Sequence, residues 1–357
     1  MSDGATGTAR ARWKASKRRF RAPLLRPAGI VGLGSAEAER LVTNRDLERL
    51  VDTSDDWIVS RTGIRERHVA GPGQASSDLA TTAAGRALAS AGIEPAQVDM
   101  ILVATVTPDM LFPATACLVQ RNLGARGSAG LDIEVGCAGF LYGLAIGSQF
   151  INTGRYDTVL VIGAETLSKI TDWTDRNTCV LLGDGAGAAV LRPVAPGTGI
   201  LATYLGADGT GAGSLYMPAG GSRLPPSHRT VDERQHYLRM NGSEVFKFAV
   251  RIMAQAGLGA LRQCGLHRSD VDLLVPHQAN IRIIEAAVSR LGLPWDRVVV
   301  NLDRHGNMSS ASIPVALDEA AAAGRVKPGD VVLMVSFGAG LAWASCVVRW
   351  NELGGKA

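Results

Sequence analysis

Ala87-Leu-Ala-Ser-Ala-Gly92-Ile-Glu-Pro-Ala-Gln-Val98-Asp99-Met-Ile-Leu-Val103 has a counterpart later in the chain, Ala260-Leu-Arg-Gln-Cys-Gly265-Leu-His-Arg-Ser-Asp-Val271-Asp272-Leu-Leu-Val275. Both read as a helix closed by a glycine, a short polar turn, a Val-Asp pair and a buried strand. Asp99 and Asp272 stand 173 residues apart, and Asp157-Thr-Val-Leu-Val161 and Asp330-Val-Val-Leu-Met334 repeat at that same offset. Two matches at one offset predict a duplicated α/β unit, because a period this long marks doubled domains rather than a solenoid. The stretches 101–105, 159–162, 186–191 and 331–335 are continuously apolar, as in strands covered by helices on both faces. The expected architecture is two similar α/β halves, roughly 28–200 and 201–357, around a shared core of helices.

Outward from the repeat, Leu131-Asp-Ile-Glu-Val-Gly-Cys137-Ala-Gly-Phe140 runs from an apolar strand into small residues, followed by a helix-like stretch over 141–151. A cysteine at such a junction lies at the positive end of a helix dipole, which favours thiolate over thiol. Small neighbours let a substrate approach the sulfur, so Cys137 is the candidate nucleophile. Moving 173 residues on from Cys137 leads to Ser310, inside His305-Gly306-Asn307-Met308-Ser309-Ser310-Ala311-Ser312. If a pseudo-twofold axis relates the halves, both junctions face one pocket, and Asn307 becomes a natural partner for Cys137.

The chain has 357 residues, 46% of them hydrophobic, enough for one large or two medium cores. No apolar stretch reaches the roughly 18 residues of a membrane helix, and the opening residues have no apolar core of a secretory signal. The five cysteines, Cys117, Cys137, Cys179, Cys264 and Cys346, are odd in number, scattered and free of CxxC spacing. A disulfide framework or zinc site is therefore not expected, and a reducing cytoplasm is. Residues 1–27 hold eight Lys or Arg against the single acid Asp3, which leaves 29 basic and 32 acidic residues elsewhere. The formal charge of +4 thus belongs to a tail, read as disordered, and not to a nucleic-acid-binding surface.

His277, in Val275-Pro276-His277-Gln278-Ala-Asn280, ends a buried strand, where catalytic groups of α/β sheets gather. With a nucleophile and an Asn-bearing loop elsewhere, it reads as catalytic. His305 competes as a base, but its glycine-flanked loop reads as a turn. Gly183-Asp184-Gly185-Ala186-Gly187 precedes an apolar strand rather than opening a helix, so it reads as a tight turn with close packing, not a phosphate loop. Gly32-Leu-Gly34 lacks the third glycine of a dinucleotide fingerprint. In Phe337-Gly338-Ala339-Gly340 the small residues can bring a backbone N–H close to a reacting carbonyl.

Five motifs occur in order: Asp52-Thr-Ser-Asp-Asp-Trp57-Ile-Val-Ser-Arg61-Thr-Gly-Ile-Arg65-Glu-Arg67, Cys137-Ala-Gly-Phe140, Gly183-Asp-Gly-Ala-Gly187, His277-Gln-Ala-Asn280 and His305-Gly-Asn307. Together, over about residues 28–350, they resemble the beta-ketoacyl-acyl carrier protein synthase III family of condensing enzymes. The resemblance implies the thiolase fold, five αβαβα layers in two duplicated halves, and a homodimer. It implies a decarboxylating condensation of a short acyl-CoA primer with malonyl-acyl carrier protein, starting fatty acid synthesis, with no cofactor and no metal. Cys137 would carry the acyl group, with backbone N–H groups of Cys137 and Ala339 as the oxyanion hole. His277 and Asn307 would hold the thioester carbonyl as carbon dioxide leaves.

Further positions follow from the same resemblance. Trp57 and Arg176 would sandwich the CoA adenine, and Arg61 and Asn280 would contact CoA. Phe112, lent across the dimer, and Phe337 would line the acyl pocket, a bulky ring at Phe112 implying a short or branched primer. Lys247, Arg282 and Arg290 would receive the acidic carrier protein. The chain departs from the family pattern at Glu134-Val135-Gly136, where small alanines are usual, and at Met308, where Thr or Ser is common. Its stretch from about Gly213 to Arg239 is also long and rich in Gly, Pro and His. These departures keep open an alternative, a pathway-specific priming enzyme of polyketide or other secondary metabolism, or an acyltransferase to an oxygen or nitrogen nucleophile. A non-catalytic carrier-binding subunit is disfavoured, since Cys137, His277 and Asn307 are all present.

Overall fold

The computed structural model describes residues 26–354. Most of the basic stretch expected to be a disordered tail, and residues 355–357, lie outside the described residues. The chain enters through β1 (Ala28–Glu37) and a hairpin of β2 (Arg40–Thr43) and β3 (Glu66–Val69), which encloses α1 (Asn44–Leu47) and α2 (Asp55–Thr62). It continues through α3 (Ser76–Ala91), β4 (Met100–Ala104), α4 (Thr115–Leu123), β5 (Ala129–Ile133), α5 (Gly139–Asn152), β6 (Val159–Thr166) and β7 (Asp184–Pro193). Next come β8 (Gly199–Ala207), β9 (Leu215–Tyr216), α6 (His228–Asp232), β10 (Arg239–Met240) and α7 (Gly242–Cys264). The chain closes with β11 (Leu273–Pro276), α8 (Ile281–Leu291), α9 (Leu302–His305), α10 (Ser312–Ala322), β12 (Val331–Gly338) and β13 (Ala342–Arg349).

One sheet runs β1-β7-β6-β4-β5 and another β8-β13-β12-β11, with Val298 bridging Leu274 beyond β11, where a fifth strand would lie. In the first, β4 is parallel to β5 and β6, and β7 is antiparallel to β6 and β1. In the second, β11 is parallel to β12, and β13 is antiparallel to β12 and β8. The two sheets thus share one strand order. Every residue of β4, β6 and β12 is buried, the consequence of helices on both faces.

Helices α3 and α4 cover the first sheet outside, α7 and α8 the second, and α5 and α10 lie between the sheets. That is the five-layered αβαβα order of the thiolase fold. Helix α5 lies close because it is glycine-rich: a Cβ on Gly143 would come within 2.6 Å of Val161 and one on Gly147 within 3.0 Å of Leu191. On the other face of the first sheet, a Cβ on Gly32 or Gly34 would meet the backbone of Ala87 at 2.4 Å. Those glycines seat α3 rather than a dinucleotide. Helices α3 and α7 end in left-handed glycines, Gly92 (φ 66°) and Gly265 (φ 73°), as the repeat predicts.

The motif Gly183–Gly187 differs from its reading as a turn. Asp184 already begins β7, and the glycines clear space for the second half: a Cβ on Gly187 would strike Pro314 at 2.7 Å. The stretch 213–239 is folded around α6 and the β9–β10 pair. No helix among the described residues is long and apolar enough to cross a membrane.

Candidate active site

Between β5 and α5 the backbone makes a short 3-10 turn, Gly136–Ala138, that carries Cys137. Gly136 holds φ 51°, a left-handed conformation that favours glycine, and a Cβ there would sit 2.9 Å from the backbone nitrogen of Ala339. A Cβ on Gly338 would sit 2.5 Å from the backbone nitrogen of Cys137. The Ser336 hydroxyl donates to the Cys137 carbonyl at 2.7 Å. The turn that carries Cys137 is thus clamped on the C-terminal end of β12, which brings the Cys137 and Ala339 amides into one neighbourhood.

The thiol itself departs from the expectation drawn from the helix dipole. Burial pushes Cys137 up to about 12; a hydrogen bond with Ser309 pulls it down and the nearby Glu165 carboxylate pushes it further up. Burial thus opposes the thiolate that the helix end favours, although the residue keeps partial exposure through the cavity it lines.

His277 follows β11, its amide donating to Val335 O at 2.8 Å and its ring meeting Phe337 edge-on at 5.6 Å between centroids. It is 1% exposed, its Nδ1 has no hydrogen-bond partner, and burial pushes the imidazole down to about 3. The ring is neutral at physiological pH. Asn307 is sewn to the first half: its amide donates to Leu181 O at 2.8 Å, and its carbonyl accepts from Gly183 N at 3.0 Å. Its side-chain Oδ1 accepts the Ser309 amide at 2.9 Å, which leaves Nδ2 as the donor for a ligand. Ser309 holds φ 46°, unusual for a residue with a side chain. The neighbouring Met308 is buried, with its sulfur filling the space a Cβ on Gly185 would need.

A cavity of about 1110 Å³ takes in Cys137, Asn307, Ser309 and Ala339. Val106, Leu167, Ile170, Leu215, Leu238 and Met240 give it aliphatic sides, and Glu134 lies on its wall. His277 is not among the residues that line it. Phe337, expected in the acyl pocket, packs in the core of the second half against His277 instead. Phe112 is 84% exposed and does not line the cavity of its own chain.

Three of the expected nucleotide residues are brought together. The Arg176 guanidinium lies 4.6 Å from the Trp57 ring centroid and that of Arg61 lies 5.9 Å away. Arg176 also donates to Asp52 O at 2.8 Å. A base sandwiched between Trp57 and Arg176 needs about 7 Å, two stacking distances, so Arg176 has to swing off the indole to admit one. Asn280 joins the cluster through Nδ2, which donates to Arg61 O at 3.0 Å, while its Oδ1 caps α8 at the Arg282 amide. Lys247, Arg282 and Arg290 are exposed on α7 and α8, and Arg290 donates to Val250 O at 2.7 Å.

Three buried polar residues have surroundings that the motifs did not reveal. Glu165 is fully buried, taking hydrogen bonds from Val106 N, Thr107 Oγ1 and the Ser310 hydroxyl, and burial pushes its carboxyl up. An acid inside the apolar strand β6 was its only trace in the sequence. Arg67, also fully buried, donates to Val42 O, Asn44 Oδ1 and Val180 O, and burial lowers it to about 10. It joins the hairpin module bearing Trp57 to the segment paired with Asn307. His305 is not in a turn: it ends α9, buried, with Nε2 on Glu319 at 2.6 Å. That partner removes it as a rival base. Among the described residues no group of three or more His, Cys, Asp or Glu is placed to hold a metal ion.

Residues 131–209 match the family model 3-oxoacyl-[acyl-carrier-protein] synthase III, and residues 261–350 match its C-terminal companion. The chain is 61% identical over 325 residues to a beta-ketoacyl-[acyl-carrier-protein] synthase III of Caldanaerobacter subterraneus, covering 91% of this chain and 98% of that one. It is 60% identical to that of Symbiobacterium thermophilum, covering 92% and 99%. Among solved structures, the synthase III of Thermus thermophilus is similar at TM-score 0.85 and 52% identity, covering 91% and 99%. A priming beta-ketosynthase of the R1128 polyketide pathway has a TM-score of 0.86, with 36% identity and coverage of 94% and 99%.

Proposed function

The chain belongs to the beta-ketoacyl-acyl carrier protein synthase III family, and from that premise we propose how its own residues perform the condensation. The enzyme is an acyltransferase that joins an acyl primer to malonyl-acyl carrier protein with loss of carbon dioxide, the initiating step of fatty acid synthesis. The observation that carries the residue roles is that Cys137, in the turn after β5, and Asn307, in the loop before α10, open onto one cavity beside Ala339. The polyketide alternative has no comparable support, since the relatives at 51–61% identity are synthases III by name.

In the first half-reaction the Cys137 sulfur attacks the acyl-CoA thioester, the bond to the CoA sulfur breaks, and the thiol proton leaves with CoA. The Cys137 and Ala339 amides hold the oxyanion. In the second, the bond to the malonyl carboxylate breaks, carbon dioxide leaves, and the electron pair becomes an enolate. The neutral His277 ring and Asn307 Nδ2 hydrogen-bond its oxygen without protonating its carbon. The carbon attacks the acyl-cysteine, and the freed Cys137 sulfur regains a proton from the medium. No electron is gained or lost by the enzyme, so these steps call for no redox cofactor.

Trp57, Arg61, Arg176 and Asn280 are assigned to the CoA end, supported by their contiguity. Lys247, Arg282 and Arg290 are assigned to the carrier protein, supported by exposure and charge. A homodimer is supported by the exposed edge strand β5, where Ala129, Gly130 and Leu131 are uncovered, and by the exposed Leu111 and Phe112. The duplication into halves at about residue 200 is supported by the shared strand order and by α5 and α10, which start at Gly139 and Ser312, 173 apart. Rapid-quench mixing with acyl-CoA and then malonyl-acyl carrier protein tests the scheme. Acyl-enzyme forms before carbon dioxide is released; carbon dioxide release with no acyl-enzyme at any time overturns it.

A further inference from the structure

The stretch from Leu215 to Met240 forms one side of the acyl cavity, contributing Leu215, Tyr216, Met217, Leu238 and Met240. It is fastened to the facing segment at two points. The Leu238 amide donates to Ile170 O at 2.8 Å, which sets two cavity-lining residues side by side. Beyond them Arg234 grips Asp172 with two nitrogens: Nε reaches Oδ2 at 3.3 Å and Nη2 donates to Oδ1. Nη2 also reaches Thr174 Oγ1 at 3.1 Å, and the guanidinium lies 5.0 Å over the Tyr237 ring.

The Arg234 side chain is 49% exposed, but three features set the pair apart from an ordinary surface ion pair. It is two-pronged, the Asp172 side chain is only 19% exposed, and Arg234 holds φ 55°, a conformation that persists only where its surroundings impose it. The same carboxylate accepts from Thr174 N at 2.9 Å and Thr174 Oγ1 at 2.6 Å. It therefore also shapes the turn leading to Arg176, which stacks on Trp57. One carboxylate ties the cavity wall to the segment at the CoA end.

We propose that Arg234, by its fork on Asp172, fixes the Leu238–Ile170 wall and so sets the length of acyl group that Cys137 accepts. Arg234 is a positioning residue, and the assignment rests on the acyl-transfer reading above. With the fork cut, the wall is free to retreat, so long acyl chains gain room while short ones lose contacts.

The test offers the full-length protein acetyl-, hexanoyl- and decanoyl-CoA together and reads each adduct on Cys137 by intact mass over time. In Arg234→Ala the decanoyl-to-acetyl rate ratio rises by about 10-fold or more, the scale of a change in one apolar contact. Arg234→Lys, which keeps the charge without the fork, falls between, and the exchanged pair Asp172→Arg with Arg234→Asp moves back toward the wild-type ratio. A ratio within about 2-fold of wild type, whether the three rates fall together or stay put, overturns the proposal. If Arg234→Ala does not fold, Arg234→Lys decides by the same criterion. Absence of any adduct in the wild-type protein instead overturns the acyl-transfer reading.

Discussion

Replacing Gly338 by alanine tests the oxyanion site with a single methyl group. Gly338 has φ −167°, extended backbone that any residue adopts, so alanine introduces no conformational strain and the effect is purely steric. The new Cβ would lie 2.5 Å from Cys137 N, 3.2 Å from its Cβ and 3.3 Å from its Cα. Restoring an ordinary contact of 3.4 Å requires a retreat of about 0.9 Å, and the atoms in the way are mostly backbone, which no rotamer change moves. A displacement of about 1 Å costs roughly 100-fold in a positioned reaction, and losing one oxyanion donor costs about 100- to 1000-fold. Single-turnover acylation of Gly338→Ala by acyl-CoA, followed by intact mass, is therefore expected to slow by about 100-fold or more. Overpacking also destabilises by about 1–3 kcal/mol, so thermal melts accompany the rates. A folded variant that acylates within about 3-fold of wild type refutes the assignment of the Cys137 amide to the oxyanion hole.

The separation of the two half-reactions gives further tests. His277→Ala keeps acylation while malonyl decarboxylation falls by about 100-fold or more, measured as labelled carbon dioxide. Because burial lowers His277 from 6.5 to about 3, its ring stays neutral above that range and contributes no acid limb near pH 6.5 to decarboxylation. The same shift makes the unfolded chain bind a proton that the fold refuses between pH 6.5 and about 3. Stability therefore drops as the pH is lowered from 6.5 to about 3, and His277→Leu flattens this part of the profile in denaturant titrations. Asn307→Asp places a charge where the enolate oxygen forms, so decarboxylation drops by about 1000-fold while the acyl-cysteine still accumulates. Arg67→Met strands the carbonyls of Val42 and Val180 and the Asn44 side chain, lowering stability by about 3 kcal/mol in urea titrations.

The architecture was legible because its signals are local. Runs such as 331–335 are apolar whatever surrounds them, and Gly92 and Gly265 close helices by a backbone conformation that only glycine adopts cheaply. The junction at Cys137 was legible for the same reason, and the 173-residue offset led to the Asn307 loop. What stayed hidden depends on distant segments meeting. Glu165 is satisfied by hydroxyls and an amide from β6's neighbours and from Ser310, so nothing beside it in sequence announces its burial. A sequence shows that a helix follows Cys137, which suggests a thiolate, but not that the surrounding fold adds a burial penalty that opposes it. His305 looked like a turn residue because Gly306 follows it, while the partner that defines it, Glu319, comes from α10. The glycines after Gly183 looked like a turn because the helix that presses on them belongs to the other half of the chain.

Intact mass measurement of the protein after exposure to acyl-CoA, then to malonyl-acyl carrier protein, tests the central claim most directly. The account predicts a mass gain of one acyl group in place of one hydrogen on the peptide containing Cys137, absent in Cys137→Ala. Adding malonyl-acyl carrier protein should discharge it as carbon dioxide and 3-ketoacyl product appear. An adduct that persists in Cys137→Ala, or one that malonyl-acyl carrier protein leaves in place, contradicts the account.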